Sequence, residues 1–289
     1  MSVIKLKSFA KINPLLFIGD KREDNYHDIF TLFQTVSIYD EIDIEIEEGK
    51  TGIDISSNRD IPLDNSNLVY KAVEFFQEEF SIKPHYFRIF IDKRIPTGGG
   101  MGGGSSNAGV VLLFLKNFFK VKYDKRILKI ASKIGADVPF FLYGGTAMGL
   151  ERGDRITKIK DLSNCDFLAV FTGKHYPTEK MYSLFDLKCE KREIDLPAFS
   201  EYVSSLYKKG YKGFYNDFDK VLEFYDPELA ELFDYLQAKG YKAMLSGSGS
   251  TFLIFGENLS RAKKLLPEKF KVEKSSFVSG GDYEKLVLG

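Results

Sequence analysis

The chain has 289 residues, with 41 Lys plus Arg against 41 Asp plus Glu and therefore no formal net charge, and 44% of it is hydrophobic. This suffices for one large domain or two small ones, and the zero balance excludes a general binder of nucleic acid or anionic membrane, because no summed positive field exists to attract a polyanion. Two cysteines and three histidines form neither a disulfide framework nor a zinc set. With no apolar signal core and no run near the ~20 residues that span a bilayer, a cytoplasmic location is expected.

In chain order, Met1 to Lys5 leads into an alternating strand that ends around Phe9-Ala10-Lys11-Ile12-Asn13. Ile42, Ile44 and Ile46 alternate with Asp43, Glu45 and Glu47, a strand with one wet face. Ile53 and Ile55 continue that pattern after a Gly49–Gly52 turn. Asn67 opens a helix in which Leu68, Ala72, Phe75, Phe76 and Phe80 share a stripe. A strand from Tyr86 to Ile95 stops at Pro96. A glycine cluster then leads into an apolar helix, Ala108–Phe119, and a second helix from Asp124 to a C-capping Gly135.

In the second half, Phe167–Phe171 reads as a buried strand, and helices are expected around 178–187, 197–209 and 227–239. Short strands Ala243–Gly247 and Thr251–Phe255 flank a Ser/Gly turn, followed by a helix Leu259–Lys269 and a strand Lys271–Val278. Segregated strands and helices predict an α+β protein. A polar stretch, Arg155–Asp161, places the domain boundary near 158, giving units 1–158 and 159–289.

The most informative segment is Pro96-Thr97-Gly98-Gly99-Gly100-Met101-Gly102-Gly103-Gly104-Ser105-Ser106-Asn107, in which six of the seven positions 98–104 are glycine. Without Cβ atoms the backbone can approach a ligand closely, and a helix N-terminus directs free N–H groups at an anion. Ser105 and Ser106 can add hydroxyl donors or cap the helix. A flexible linker is the alternative, but linkers rarely join a well-formed strand to an apolar helix. The dinucleotide pattern is met only formally, by glycine density. Elsewhere, Lys11 alone reads first as a solvated lysine, and Asp137 in Gly135-Ala136-Asp137-Val138-Pro139 reads equally as a helix cap. Ser246-Gly247-Ser248-Gly249-Ser250-Thr251 reads as a hairpin turn.

Taken together, these clusters resemble in order and spacing the motifs of the GHMP small-molecule kinases. The resemblance rests on Ala10-Lys11-Ile12-Asn13, Asp24-Asn25-Tyr26-His27, Asn67-Leu68-Val69, Pro96–Ala108, Gly135–Phe141, Ser246–Thr251 and Asn216-Asp217-Phe218. The first two select the branch acting on a cytidylyl sugar-alcohol diphosphate. Pro14 departs from the family's usual Leu and Asn25 from its Gly, although Asn tolerates positive φ. Residues 188–214 align with nothing and receive no role.

The resemblance implies a two-domain GHMP kinase fold, with an N-terminal ribosomal-protein-S5-like ATP-binding domain and a C-terminal ferredoxin-like domain. The implied reaction moves the ATP γ-phosphoryl group to the 2-hydroxyl of 4-diphosphocytidyl-2-C-methyl-D-erythritol, in the non-mevalonate isoprenoid pathway. Lys11 and Asp137 would be catalytic, Asp137 as proton acceptor or electrostatic group. Asn67, Gly98, Gly99, Gly100, Gly102, Gly103, Gly104, Ser105 and Ser106 would hold ATP. Asn13, Tyr26, His27, Thr178 and Tyr182 would hold the substrate, with Tyr182 stacked on cytosine. Mg²⁺ is expected with ATP, its protein ligands unassigned. The partner is a small molecule, not nucleic acid or membrane, and the chain a monomer or weak homodimer. The rival readings are a GHMP kinase for another alcohol, a dinucleotide oxidoreductase, and a non-catalytic binder on the same scaffold.

Overall fold

The apolar alternation extends well beyond the few isoleucines that announce it. In the computed structural model, which describes residues 3–122, 125–190 and 193–289, β1 (Ile4–Lys21) and β2 (His27–Glu48) form one long antiparallel hairpin. Asn25 turns it at φ +66°, the left-handed conformation that asparagine tolerates. The first strand does not end near Asn13. It continues through three register breaks, between Phe9 and Lys11, Ile12 and Leu15, and Ile18 and Lys21. Pro14 lies in the second, where a residue without an N–H is tolerated. At the first, the Lys11 N–H bonds the Met101 carbonyl at 3.0 Å.

β3 (Gly52–Ser57) and β4 (His85–Asp92) complete one side of this sheet, in the order β3-β4-β2-β1. Helix α1 (Leu68–Glu79) crosses between them, N-capped by Asn67, whose Oδ1 accepts from Val69 N at 2.8 Å. Helix α2 begins at Gly103 rather than Ala108 and runs to Phe118, because Gly102 takes the N-cap position at φ +68°. α3 spans Lys125–Ile134; its expected start, Asp124, lies outside the described residues. After a 3-10 turn, Val138–Leu142, two strands that sequence periodicity missed, β5 (Thr146–Leu150) and β6 (Arg155–Lys158), pair onto β2 and each other.

The second sheet begins with β7 (Asp166–Phe171), followed by α4 (Thr178–Lys188) and α5 (Leu196–Lys209). β8 (Tyr215–Asn216) adds to β1 of the first sheet, before the short α6 (Leu222–Tyr225) and α7 (Pro227–Ala238). β9 (Lys242–Leu245) and β10 (Phe252–Phe255) form a hairpin. α8 (Leu259–Lys263) stops six residues earlier than expected, ahead of Pro267, and β11 (Lys271–Ser276) closes an antiparallel sheet of order β11-β7-β10-β9. Both faces are buried. Leu168, Val170, Phe252 and Ile254 pack with Met181, Phe185 and Leu236, while Phe167, Ala169, Leu253 and Phe255 pack with Ala10, Ile12 and Phe17 of β1. An unanticipated last helix, α9 (Gly280–Leu288), is capped by Ser279 and buries Tyr283 and Val287 in the core beneath α2. Among the described residues no helix is long and apolar enough to cross a membrane.

Candidate active site

The bulge in β1 turns Lys11 inward, and there its ammonium is almost fully buried. Lys11 Nζ donates to Asn13 Oδ1 at 2.8 Å and pairs with Asp137 Oδ2 at 3.2 Å. Asn13 is fixed in turn, donating through Nδ2 to Thr31 Oγ1, which donates to Leu15 O, both at 2.8 Å. Asp137 stands immediately before the 3-10 turn, but its side chain makes no capping hydrogen bond. Its carboxylate faces the lysine instead, so Asp137 forms an ion pair and not the cap that the sequence allowed. Two of lysine's three donors are used by these groups.

Gly98–Gly104 and Ser105 line a cavity of about 350 Å³ with Asn67, Leu68, Pro96, Lys93 and Asn107. Gly98, Gly100 and Gly102 have φ of +69°, +77° and +68°, and the loop is clasped from behind by the β9–β10 turn. A Cβ on Gly100 would stand 1.8 Å from Ser246 O, and one on Gly99 2.6 Å from Thr251 Oγ1. Thr251 N donates to Gly99 O at 3.3 Å and Ser246 Oγ to Gly100 O at 3.2 Å. The 246–251 segment is thus both the hairpin turn and a wall behind the glycine loop. Ser106 departs from expectation. Its side chain is fully buried away from the cavity, with its hydroxyl on Phe9 O at 2.6 Å and its N–H on Gly102 O at 2.8 Å. One helix residue beyond Ser105, it faces the sheet rather than the loop.

A second cavity, about 570 Å³, brings together Tyr26, His27, Thr178 and Tyr182, four of the five residues expected on the substrate side. Thr178 Oγ1 lies 3.0 Å from Ser248 Oγ, tying α4 to the 246–251 turn. The ring of Tyr182 stacks on His27, with centroids 4.7 Å apart and planes 8° apart, and meets Phe218 edge-on. One face of Tyr182 is therefore covered by His27, whereas Tyr26 is 55% exposed with the Arg152 guanidinium 5.3 Å from its ring centre. Sequence reasoning missed Arg152, which arrives on the β5–β6 turn with no local signal. It also missed Asp186, which holds His27 Nε2 at 3.0 Å. Asp186 lies four residues beyond Tyr182 on the same helix face, a spacing that could have flagged it.

The ion pair lines neither cavity but lies close to a residue of each. A Cβ on Gly102 would stand 3.1 Å from Lys11 Cε, and burial together with the Asp137 charge holds the Tyr182 phenol well above the ordinary tyrosine range. A carboxylate paired with a buried lysine, close to Gly102 of the glycine-lined cavity and acting on Tyr182 of the aromatic one, can accept a hydroxyl proton while the lysine stabilises negative charge.

The N-terminal domain signature of the GHMP kinases matches residues 67–145, and the C-terminal signature matches 188–268. The 4-diphosphocytidyl-2-C-methyl-D-erythritol kinase of Thermotoga petrophila is 37% identical over 254 residues, covering 86% of this chain and 90% of the relative. That of Persephonella marina is 35% identical, covering 91% and 95%. The chain belongs to the 4-diphosphocytidyl-2-C-methyl-D-erythritol kinase family of the GHMP kinases. Among solved structures, a 4-(cytidine 5'-diphospho)-2C-methyl-D-erythritol kinase superposes with a TM-score of 0.77 at 29% identity, over 95% of this chain and 99% of that one. The homoserine kinase of Cytophaga hutchinsonii, at 16% identity and a TM-score of 0.66, shares the fold. The GHMP kinase assignment makes ATP the phosphoryl donor and accounts for a two-sheet α/β architecture with N- and C-terminal domains.

Proposed function

We propose that this site transfers the γ-phosphoryl group of ATP to the 2-hydroxyl of 4-diphosphocytidyl-2-C-methyl-D-erythritol, with Lys11 and Asp137 carrying the chemistry. The observation that supports it best is the Lys11–Asp137 pair, which lies against Gly102 on one side and acts on Tyr182 on the other. ATP binds with its phosphates along Gly98–Ser105, meeting backbone N–H groups and the N-terminus of α2, and with its base toward Asn67. The cytidylyl end occupies the cavity of Tyr26, His27, Thr178 and Tyr182, stacked on the open Tyr26 ring. The 2-oxygen forms a bond to the γ-phosphorus as the bond from that phosphorus to the β,γ-bridging oxygen breaks, and ADP leaves. Asp137 takes the hydroxyl proton, and Lys11, held by Asn13, neutralises charge on the transferring group.

Among the described residues no three His, Cys, Asp or Glu side chains cluster to hold a metal. That arrangement suits a Mg²⁺ held chiefly by phosphate oxygens and water, with Asp137 and Ser105 as the protein groups able to join it. When bound, the ion offsets the charge of the β- and γ-phosphates. On this reading residues 1–158 form the ATP-binding domain and 159–289 the substrate-side domain, with α9 returning to the first.

The experiment is ADP release with ATP, Mg²⁺ and the cytidylyl substrate, beside mevalonate and homoserine, on the wild type and Asp137→Asn. Turnover with the cytidylyl substrate alone, lowered about 10²–10⁴-fold in Asp137→Asn, is expected. Wild-type turnover in the variant would remove Asp137 from the chemistry.

A further inference from the structure

A loop of six glycines has little stiffness of its own. Ordering costs roughly 1–2 kcal/mol per residue, and glycine loses most, so something outside the loop must hold it. The 246–251 turn supports its back, but its two ends are joined by a single side chain. Asp40 is fully buried in β2, in phase with Ile38, Ile42 and Ile44 of the core-facing stripe. Its Oδ1 accepts from Arg94 N at 2.7 Å and Ile95 N at 2.8 Å, the two residues just before Pro96. Its Oδ2 accepts from Asn107 Nδ2 at 2.9 Å, in the second turn of α2 just past the loop, and from Lys93 Nζ.

The rest of the network closes on the same point. Lys93 Nζ also donates to Asn107 Oδ1 at 3.1 Å, and Asn107 Nδ2 to Ser8 Oγ at 2.9 Å. Ser8 lies opposite Asp40 on β1 and 2.7 Å from Ser106 Oγ. Because the Ser106 hydroxyl hydrogen goes to Phe9 O, Ser8 is the donor in that contact. Lys93 and Asn107 line the nucleotide cavity, and Asp40 does not. Burying such a pair is a poor way to gain stability, since apolar replacements are often neutral or better, whereas fixing two chain segments in one register needs directional bonds.

We propose that Asp40 is a positioning residue for the nucleotide site, clamping both ends of the Gly98–Gly104 loop to β2 so that its N–H groups are preset for the phosphates of ATP. The proposal rests on the ATP reading of the loop given above. In Asp40→Asn, one oxygen still serves the Arg94 and Ile95 N–H groups, but an NH₂ now faces the Asn107 amide and Lys93. Combining it with Lys93→Met removes the unpaired cation and protects the fold.

The test measures equilibrium binding of ATP and, separately, of the cytidylyl substrate to the wild type and to the Asp40→Asn/Lys93→Met double variant, with amide hydrogen exchange over residues 96–107. The expected result is an ATP Kd raised about tenfold or more, a substrate Kd within about twofold, and faster exchange in the loop. Asn107→Ala, which cuts only the downstream end, should give the same pattern, and serves if the double variant does not fold. An unchanged ATP Kd, unchanged loop exchange, or equal loss of both ligands overturns the clamp. A wild type that binds no ATP would refute the ATP reading instead, and hydrogen exchange would still decide the clamp.

Discussion

Gly100→Ala tests whether the contact between the glycine loop and the β9–β10 turn sets the geometry of ATP in the proposed reaction. The substitution acts in two ways. At φ +77° an L side chain adopts a left-handed conformation, which costs roughly 1–2 kcal/mol. The new Cβ would also stand 1.8 Å from Ser246 O and 2.9 Å from Ser246 C, where real contacts are not shorter than 3.0 Å. Relief therefore requires at least 3.0 − 1.8 = 1.2 Å of separation, and both partners are backbone with no flexible end to swing aside. A displacement near 1 Å in a reacting geometry can cost about 10²-fold, so kcat/KM for ATP should fall by about that factor. Gly240→Ala supplies the control. Gly240 has φ +87° with nothing within 4 Å of a Cβ, so it carries the backbone strain without the collision. Gly240→Ala should lose about 1–2 kcal/mol in urea unfolding and Gly100→Ala more, by the cost of the collision, and only Gly100→Ala should lose ATP kinetics. Wild-type kcat/KM for ATP in Gly100→Ala would refute the reasoning, because it would mean that the clasp does not set the loop.

Tyr26→Ala should raise KM for the cytidylyl substrate by about tenfold, at the low end of the ~1–3 kcal/mol that base stacking contributes, and leave KM for ATP unchanged in steady-state assays. Asp186→Ala frees His27 from the carboxylate that holds its ring, so it too should raise KM for the cytidylyl substrate and not for ATP. Chelation of divalent cations should abolish ADP release, and Mg²⁺ should restore it. Burial pushes the Asp219 carboxyl up to about 7 from 3.8; the native state then holds a proton that the unfolded state has lost, so stability falls between pH 4 and 7 and is flat above. Asp219→Asn keeps the acceptor for Leu245 N and should remove that slope, gaining up to about 4 kcal/mol at pH 8 by urea unfolding, as each pKa unit corresponds to ~1.4 kcal/mol.

How much of this was legible follows from where each signal lives. Helix α4 was readable because its pattern is local, whereas the grouping of Tyr26, His27, Thr178 and Tyr182 came from resemblance to the family's short motifs and not from periodicity. The glycine loop was readable because only a backbone in need of close approach or positive φ tolerates six glycines in seven. β5 and β6 escaped because five- and four-residue strands with Gly149 among them carry little period-2 signal. The continuation of β1 past Asn13 escaped because Pro14 reads as a stop unless the bulge around it is known. The stack of His27 on Tyr182 was not legible, because no local pattern says that a residue 155 positions earlier would cover one face of that ring.

The buried network is the instructive case, because its signal was present. Asp40 falls on the same alternation as Ile38, Ile42 and Ile44, and Lys93 on that of Phe87, Ile89, Ile91 and Ile95. A lone charge in the apolar phase of a strand is costly to bury, and one such charge would argue against the assignment. Two of opposite sign, on strands that turn out to be neighbours in the sheet, argue instead that they meet. Placing them next to a glycine loop raises the further question of what they hold. A polar residue in phase with a core stripe, immediately upstream of a flexible phosphate loop, is thus a sequence-level marker of the element that makes the loop rigid.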